Sequence, residues 1–125
     1  MLDTNVAIHL RDRDPSVIDK LAGLDDAIVL SVVTRIELEG GVYTDPSKAE
    51  IRRRRLDAIL AAIPVVACDA AAADAYRSIV AVARYSRRKL LDRMIAAHAL
   101  AHRATLVTMN ADDFTDVPGL VLLAW

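Results

Sequence analysis

The chain has 125 residues, of which 54% are hydrophobic and 26% charged, with a formal net charge of −1. Such a composition builds one globular domain with its own core and excludes a disordered or low-complexity chain. Near-neutral charge excludes a surface that is basic throughout, so any contact with a polyanion must come from local clusters.

Taken in order, short apolar runs alternate with amphipathic ones. Met1-Leu2 reads as an opening strand that stops at Asp3-Thr4-Asn5, after which Val6, Ile8 and Leu10 carry an apolar run into Arg11. Pro15 starts a second short helix with Val17, Ile18 and Leu21 on one face, and Gly23 ends it. Ala27 to Leu30 is the next strand. Ser31 or Thr34 can cap the helix that follows, which stops at Gly40-Gly41. Thr44-Asp45-Pro46-Ser47 is turn chemistry, and an amphipathic helix then runs from about Ser47 to Ile63, halted by Pro64. Val65-Val66-Ala67 is a short strand. Asp69 caps a helix to about Tyr85, Ser86 to Lys89 forms a basic connector, and Leu91 to His102 is a further helix. Its inner stripe is Leu91, Ile95 and Ala99 with Ala96 and Leu100. Thr105 to Val107 and Val121 to Leu123 complete the strands, with Pro118-Gly119 as a turn between them.

Ala27 to Val33, the longest apolar stretch, is interrupted by Ser31 and far too short to cross a bilayer. Met1-Leu2-Asp3 puts an acid where a signal peptide wants a basic residue, so a soluble, cytoplasmic protein is expected. The single cysteine, Cys68, excludes an internal disulfide and reads as a small buried hydrophobe.

Strands separated by helices require crossovers. The expected fold is therefore a three-layer α/β/α domain spanning residues 1–125, with a largely parallel central sheet. Ligands in such sheets sit at the carboxyl ends of the strands. Asp3, Glu37, Asp92 and Asp113 all fall just after a strand or at the start of a helix, which places them along one edge. Each also has a local explanation. Asp3 and Asp92 suit the positive end of a helix dipole, Glu37 follows Thr34 at capping-box spacing, and Asp113 can satisfy its own turn. Four carboxylates on one edge repel one another, however, and a divalent cation removes that repulsion; hard oxygen donors suit Mg²⁺ or Mn²⁺.

Four stretches carry a resemblance. Leu2-Asp3-Thr4-Asn5-Val6, Ser31 to Thr34 with Glu37-Leu38 and Gly40, Asp92 to Ala97, and Thr108-Met109-Asn110 with Asp113-Phe114 together resemble the ordered motifs of PIN-domain ribonucleases, in particular the VapC-type toxins of bacterial toxin–antitoxin pairs. The likeness covers nearly the whole chain. It implies that Asp3, Glu37, Asp92 and Asp113 form the catalytic metal site, supported by Asn5, Thr108 and Asn110. The Asn-x-x-Asp-Phe spacing selects Asp113 over Asp112. Also implied are metal-assisted hydrolysis of RNA that leaves a 5′-phosphate, a cognate antitoxin and a homodimer. Family members generally carry more apolar residues before the first acid. Only Met1 and Leu2 stand there here, which implies a short first strand or a start inside the natural chain.

Two basic clusters stand out. Arg52 to Arg55 must point around more than half a helix, so some of them are solvated or pair with Glu50 and Asp57. Arg87, Arg88 and Lys89 arrive within a turn of Asp92 and are the better phosphate contacts. Tyr43, Tyr76, Tyr85 and Trp125 are too scattered to make a stacking platform, and Trp125 reads as a cover for the core. His9, His98 and His102 form no zinc pattern and read as helix-surface or core-edge residues. An aspartyl phosphatase or a receiver domain wants paired acids after the first strand, where Asn5 stands instead. A non-catalytic PIN-like interaction module would tolerate loss of the acids. All four are present, which favours an enzyme.

Overall fold

Helix starts are written into the sequence as polar caps. In the computed structural model, which describes residues 1–125, Asp3 caps α1 (Thr4–Arg11), Asp14 with Pro15 opens α2 (Pro15–Ala22), and Ser31 caps α3 (Val32–Val42). A single 3₁₀ turn, Pro46–Lys48, leads into α4 (Ala49–Ala62). Asp69 caps α5 (Ala70–Ala83), whereas α6 (Leu90–Ala101) starts without a side-chain cap. Each capping oxygen occupies an amide that the helix cannot satisfy itself, worth about 1 kcal/mol.

The strands are short: β1 (Leu30–Ser31), β2 (Val65–Val66), β3 (Leu106–Thr108) and β4 (Leu122–Ala124). β1 pairs with β2 and β3 with β4, both in parallel. Leu2 bridges Leu30 on one side and Val107 on the other, also in parallel, and so joins the two pairs into one sheet of order β2-β1-Leu2-β3-β4. The opening strand is thus a single bridging residue. It is held by Leu2 N–H to the Val29 carbonyl at 3.1 Å and Asp3 N–H to the Val107 carbonyl at 2.9 Å. Because the chain leaves Leu2 in one direction for β1 and β2 and later returns on its other side for β3 and β4, Leu2 marks the switch point of the sheet.

Two cores flank it. Leu2, Leu30 and Val107 face Val6, Val17, Leu38 and Leu56, while Met1 and Leu106 face Ile79, Ile95, Ala96 and Phe114. Neighbouring strand residues therefore point to opposite faces, as the pleat demands, and helices cover both faces. The three-layer parallel α/β/α architecture is the one expected. No helix is long and apolar enough to cross a membrane. Gly119, at φ +76°, makes the turn before β4 in a conformation that a side chain would strain.

Three local expectations are corrected. Leu91 is 45% exposed rather than buried: it lies in the first turn of α6, before the packed stretch Ile95 to Ala99 begins. Cys68 is exposed, since β2 stops at Val66 and no sheet pleat turns the cysteine inward. His98 is buried within α6, not at its surface, and its ring Nδ1 lies 2.6 Å from the Ser31 hydroxyl.

Candidate active site

Asp3 follows Leu2 directly, so the switch point of the sheet delivers its carboxylate to the carboxyl edge. The side chain is only 4% exposed. One oxygen accepts from the Thr4 amide at 2.8 Å and the other from the Thr108 hydroxyl at 2.9 Å, at the end of β3. Thr108 Oγ1 in turn accepts from the Asn110 amide at 3.0 Å, which fixes the turn leading to Asp113. Burial pushes the Asp3 pKa up; the hydrogen bonds from Thr108 and Thr4 oppose that rise, and the charges of Glu37 and Asp113 add to it.

Glu37 sits in the second turn of α3. Ser31, not Thr34, caps that helix, so the capping box suggested by Thr34 and Glu37 does not form. Glu37 instead accepts from the Thr4 hydroxyl, which also lies 3.4 Å from Thr34 Oγ1. Asp92 is half-buried in the first turn of α6. Its pKa is raised first by burial and then by Asp3 and Asp113, while Lys89 pulls it down. Asp113 is exposed in the 3₁₀ turn Ala111–Phe114. The four acids from α1, α3, α6 and the turn after β3 are one electrostatic group, since each feels or is felt by another.

As arranged, no three of them close around a common point as ligands would. Asp3 and Glu37 are held on threonine hydroxyls, with charge repulsion spread across the rest. The donor set is nevertheless carboxylate oxygen throughout, the chemistry of a hard divalent cation and not of zinc.

Among the supporting residues, Thr108 holds Asp3 directly. Asn5 and Asn110 are exposed and their side chains make no hydrogen bond within the chain. The basic clusters behave differently from one another. Arg53 pairs with Glu39 and Asp57, Arg54 with Glu50 at 3.1 Å, Arg52 donates to the Gly41 carbonyl at 3.1 Å, and Arg55 reaches the Asp12 carbonyl. Arg87 and Arg88 are exposed and unpaired, while Lys89 is bound to Asp116 at 3.2 Å.

Sequence reading passed over Thr4, the hydroxyl that holds Glu37; its position directly after a capping acid was the available signal. It also passed over Arg93 and Asp116, an ion pair of 2.7 Å between residues 23 apart that no local spacing announces. The Ser31–His98 contact links the start of α3 to α6, and burial keeps the imidazole pKa low.

Carboxylates at the switch point of a parallel α/β domain have the chemistry that suits a hard cation. The chain belongs to the PIN domain family, whose model matches residues 1–120. It is 29% identical over 132 residues to Ribonuclease VapC2 of Rickettsia felis, covering 100% of this chain and 96% of that protein. Its fold is similar to the crystal structure of VapBC2 from Rickettsia felis bound to a promoter DNA fragment (TM-score 0.88, 28% identity, 100% of this chain and 97% of that chain). It is also similar to VapBC-1 from nontypeable Haemophilus influenzae (TM-score 0.80, 26% identity, 100% and 96% covered).

Proposed function

We propose that this chain is a metal-dependent endoribonuclease and the toxin of a toxin–antitoxin pair, a single nuclease domain of residues 1–125 acting in the cytoplasm. The observation that carries the reading is the carboxylate group at the switch point, where burial and neighbouring acids raise the pKa of both Asp3 and Asp92. Structure built at the expense of repulsion calls for a function. Ribonucleases of this family generally depend on a divalent metal. Asp3, Glu37, Asp92 and Asp113 would hold it here, with Mg²⁺ or Mn²⁺ the ions that suit the donors. When bound, such an ion supplies an acidified water and a sink for charge on the leaving oxygen.

The chain's own residues do the rest. Thr108 and the Thr4 amide orient Asp3, and the Thr4 hydroxyl orients Glu37. Asn5, next in the chain to Thr4, and Asn110, two residues past Thr108, are exposed and would support the bound state. In the connector, Arg87 and Arg88 are the free cations and form the approach for RNA, whereas Lys89, grouped with them on sequence, is bound to Asp116. Both similar structures named above are VapBC assemblies, which supports a cognate antitoxin as partner; a homodimer is the unit expected.

Purified protein incubated with RNA and Mg²⁺ or Mn²⁺ should cleave it, and chelator should stop cleavage. Cleavage at full rate in EDTA would sink the metal-dependent reading. No cleavage with either ion, alongside tight binding of a protein encoded next to it, would instead identify a non-catalytic interaction module.

A further inference from the structure

Asp92 and Asp113 differ from the other two acids in one respect: neither carboxylate accepts a hydrogen bond within the chain, although they repel each other and Asp3. Something outside the cluster must set their spacing. Asp116, three residues past Asp113, belongs to none of the acid motifs. Its Oδ2 accepts from Arg93 Nη2 at 2.7 Å and from Lys89 Nζ at 3.2 Å, and Lys89 Nζ also donates to the Asp113 carbonyl at 3.3 Å. Lys89 and Arg93 are four residues apart at the start of α6 and so share a face, and Asp92 directly precedes Arg93 in the same turn.

Arg93 is only 2% exposed. Besides Asp116 it donates to the Ala83 carbonyl at 3.2 Å and to the Arg84 carbonyl. Arg84 ends α5 at φ 60° and ψ 162°, a backbone region left almost wholly to glycine and costly for arginine. One guanidinium and one ammonium thus fasten the strained exit of α5, the first turn of α6 and the 3₁₀ turn that carries Asp113. A buried guanidinium is tolerable only with such partners, which here come from the end of α5 and from Asp116.

We propose that Lys89, Asp116 and Arg93 are positioning residues that set the spacing of Asp92 and Asp113 for divalent-cation binding, with Lys89 acting through this bridge and not on RNA phosphate. The proposal takes from the nuclease reading only that Asp92 and Asp113 belong to the cation site.

The test is Mn²⁺ binding to the full chain without RNA, followed by electron paramagnetic resonance, with amide hydrogen exchange on the same samples. Asp116→Asn should raise the Mn²⁺ dissociation constant by about tenfold, the loss usual for an outer partner of a metal site. It should also speed exchange across Asn110 to Phe114. Asp116→Glu should recover most of the affinity, and Asp74→Asn, which breaks the exposed pair with Arg77 on α5, should change neither readout. Lys89→Met leaves the Asp116–Arg93 pair intact and serves if Asp116→Asn does not fold; it should weaken Mn²⁺ binding and lower kcat while leaving the KM for RNA unchanged. Wild-type Mn²⁺ affinity in both variants, or a loss confined to the melting temperature, overturns the proposal. Wild-type protein that binds Mn²⁺ but cleaves no RNA refutes the nuclease reading and leaves the bridge to be judged on affinity alone. Wild-type protein that binds no Mn²⁺ overturns both.

Discussion

The two ends of the sheet make opposite use of the same strands. At the amino end lies the largest cavity, about 620 Å³, walled by residues such as Leu24, Ile28, Ala104 and Leu122, with Asp26 its only carboxylate. At the carboxyl end stand Asp3 and Asp92, whose pKa values are raised by burial and by neighbouring acids. Cavity size marks where packing is incomplete; it does not mark where chemistry is done. An extended polyanion needs no deep pocket, only an exposed edge with the right charges on it.

The largest effect should come from Asp92→Asn, which keeps shape and removes one charge. RNA cleavage should fall by at least about a hundredfold, beyond what loss of an outer partner of a metal site costs. Metal-free stability should hold or rise, because a like-charge repulsion is gone. Cleavage assays and urea unfolding on one preparation separate this from a helix-dipole role, in which cleavage would persist and stability would drop by about 0.3–1 kcal/mol. At the other end, Leu122→Ala should do the reverse, costing about 2 kcal/mol of stability through an enlarged cavity and leaving kcat as it was. A collapse in kcat there, with the protein still folded, would break the contrast.

Proton linkage gives a finer view of the same edge. The folded pKa of Asp92 lies above its ordinary 3.8, so its protonated form is the one folding favours. Its unfavourable contribution is absent below the ordinary value and fully present once pH rises above the folded pKa. The stability advantage of Asp92→Asn in chelator should therefore be present at neutral pH and vanish as pH falls toward 3.8. Asp116 runs the other way: the Arg93 guanidinium holds its pKa down, so its contribution is present above the ordinary value and lost as pH falls through the depressed one. Urea titrations across that range check the sign for each.

Much of this was legible because it is written locally. The acids of Leu2-Asp3-Thr4 and Asn110 to Asp113, the caps Ser31 and Asp69, and the alternation of strand with helix all follow from short-range chemistry, and they fixed the layers and the edge. What escaped depends on contacts distant in sequence. Leu91 carries helical periodicity yet lies outside, in the first turn of α6, while Arg93 two residues on is buried because it reaches Asp116 and the end of α5. His98 looks like a surface polar residue until the Ser31 hydroxyl appears beside it across 67 residues. Cys68 follows two valines but falls just after the strand ends, where burial no longer alternates.

The smallest effect expected concerns the two arginine clusters, of which the sequence reading already favours the connector. In α4, Arg53 and Arg54 are occupied by Glu39, Asp57 and Glu50, and Arg52 and Arg55 donate to backbone carbonyls. An arginine already spending its charge on a carboxylate releases little when a phosphate arrives. Arg87 and Arg88 have no such partners and stand within a turn of α6 and Asp92. Each contact to a single-stranded phosphate adds about 0.7 to the slope of log affinity against log salt. Arg87→Ala with Arg88→Ala should therefore flatten that slope by about 1.4 and weaken all RNA sequences alike, because backbone contacts carry no sequence information. Replacing Arg52 to Arg55 should move it much less. Binding curves at several salt concentrations, with Ca²⁺ in place of the active metal to suppress turnover, measure both. A flattened slope from the α4 variant and an unchanged one from the connector variant would place the RNA across α4, and the pairs seen there would then have to open on binding.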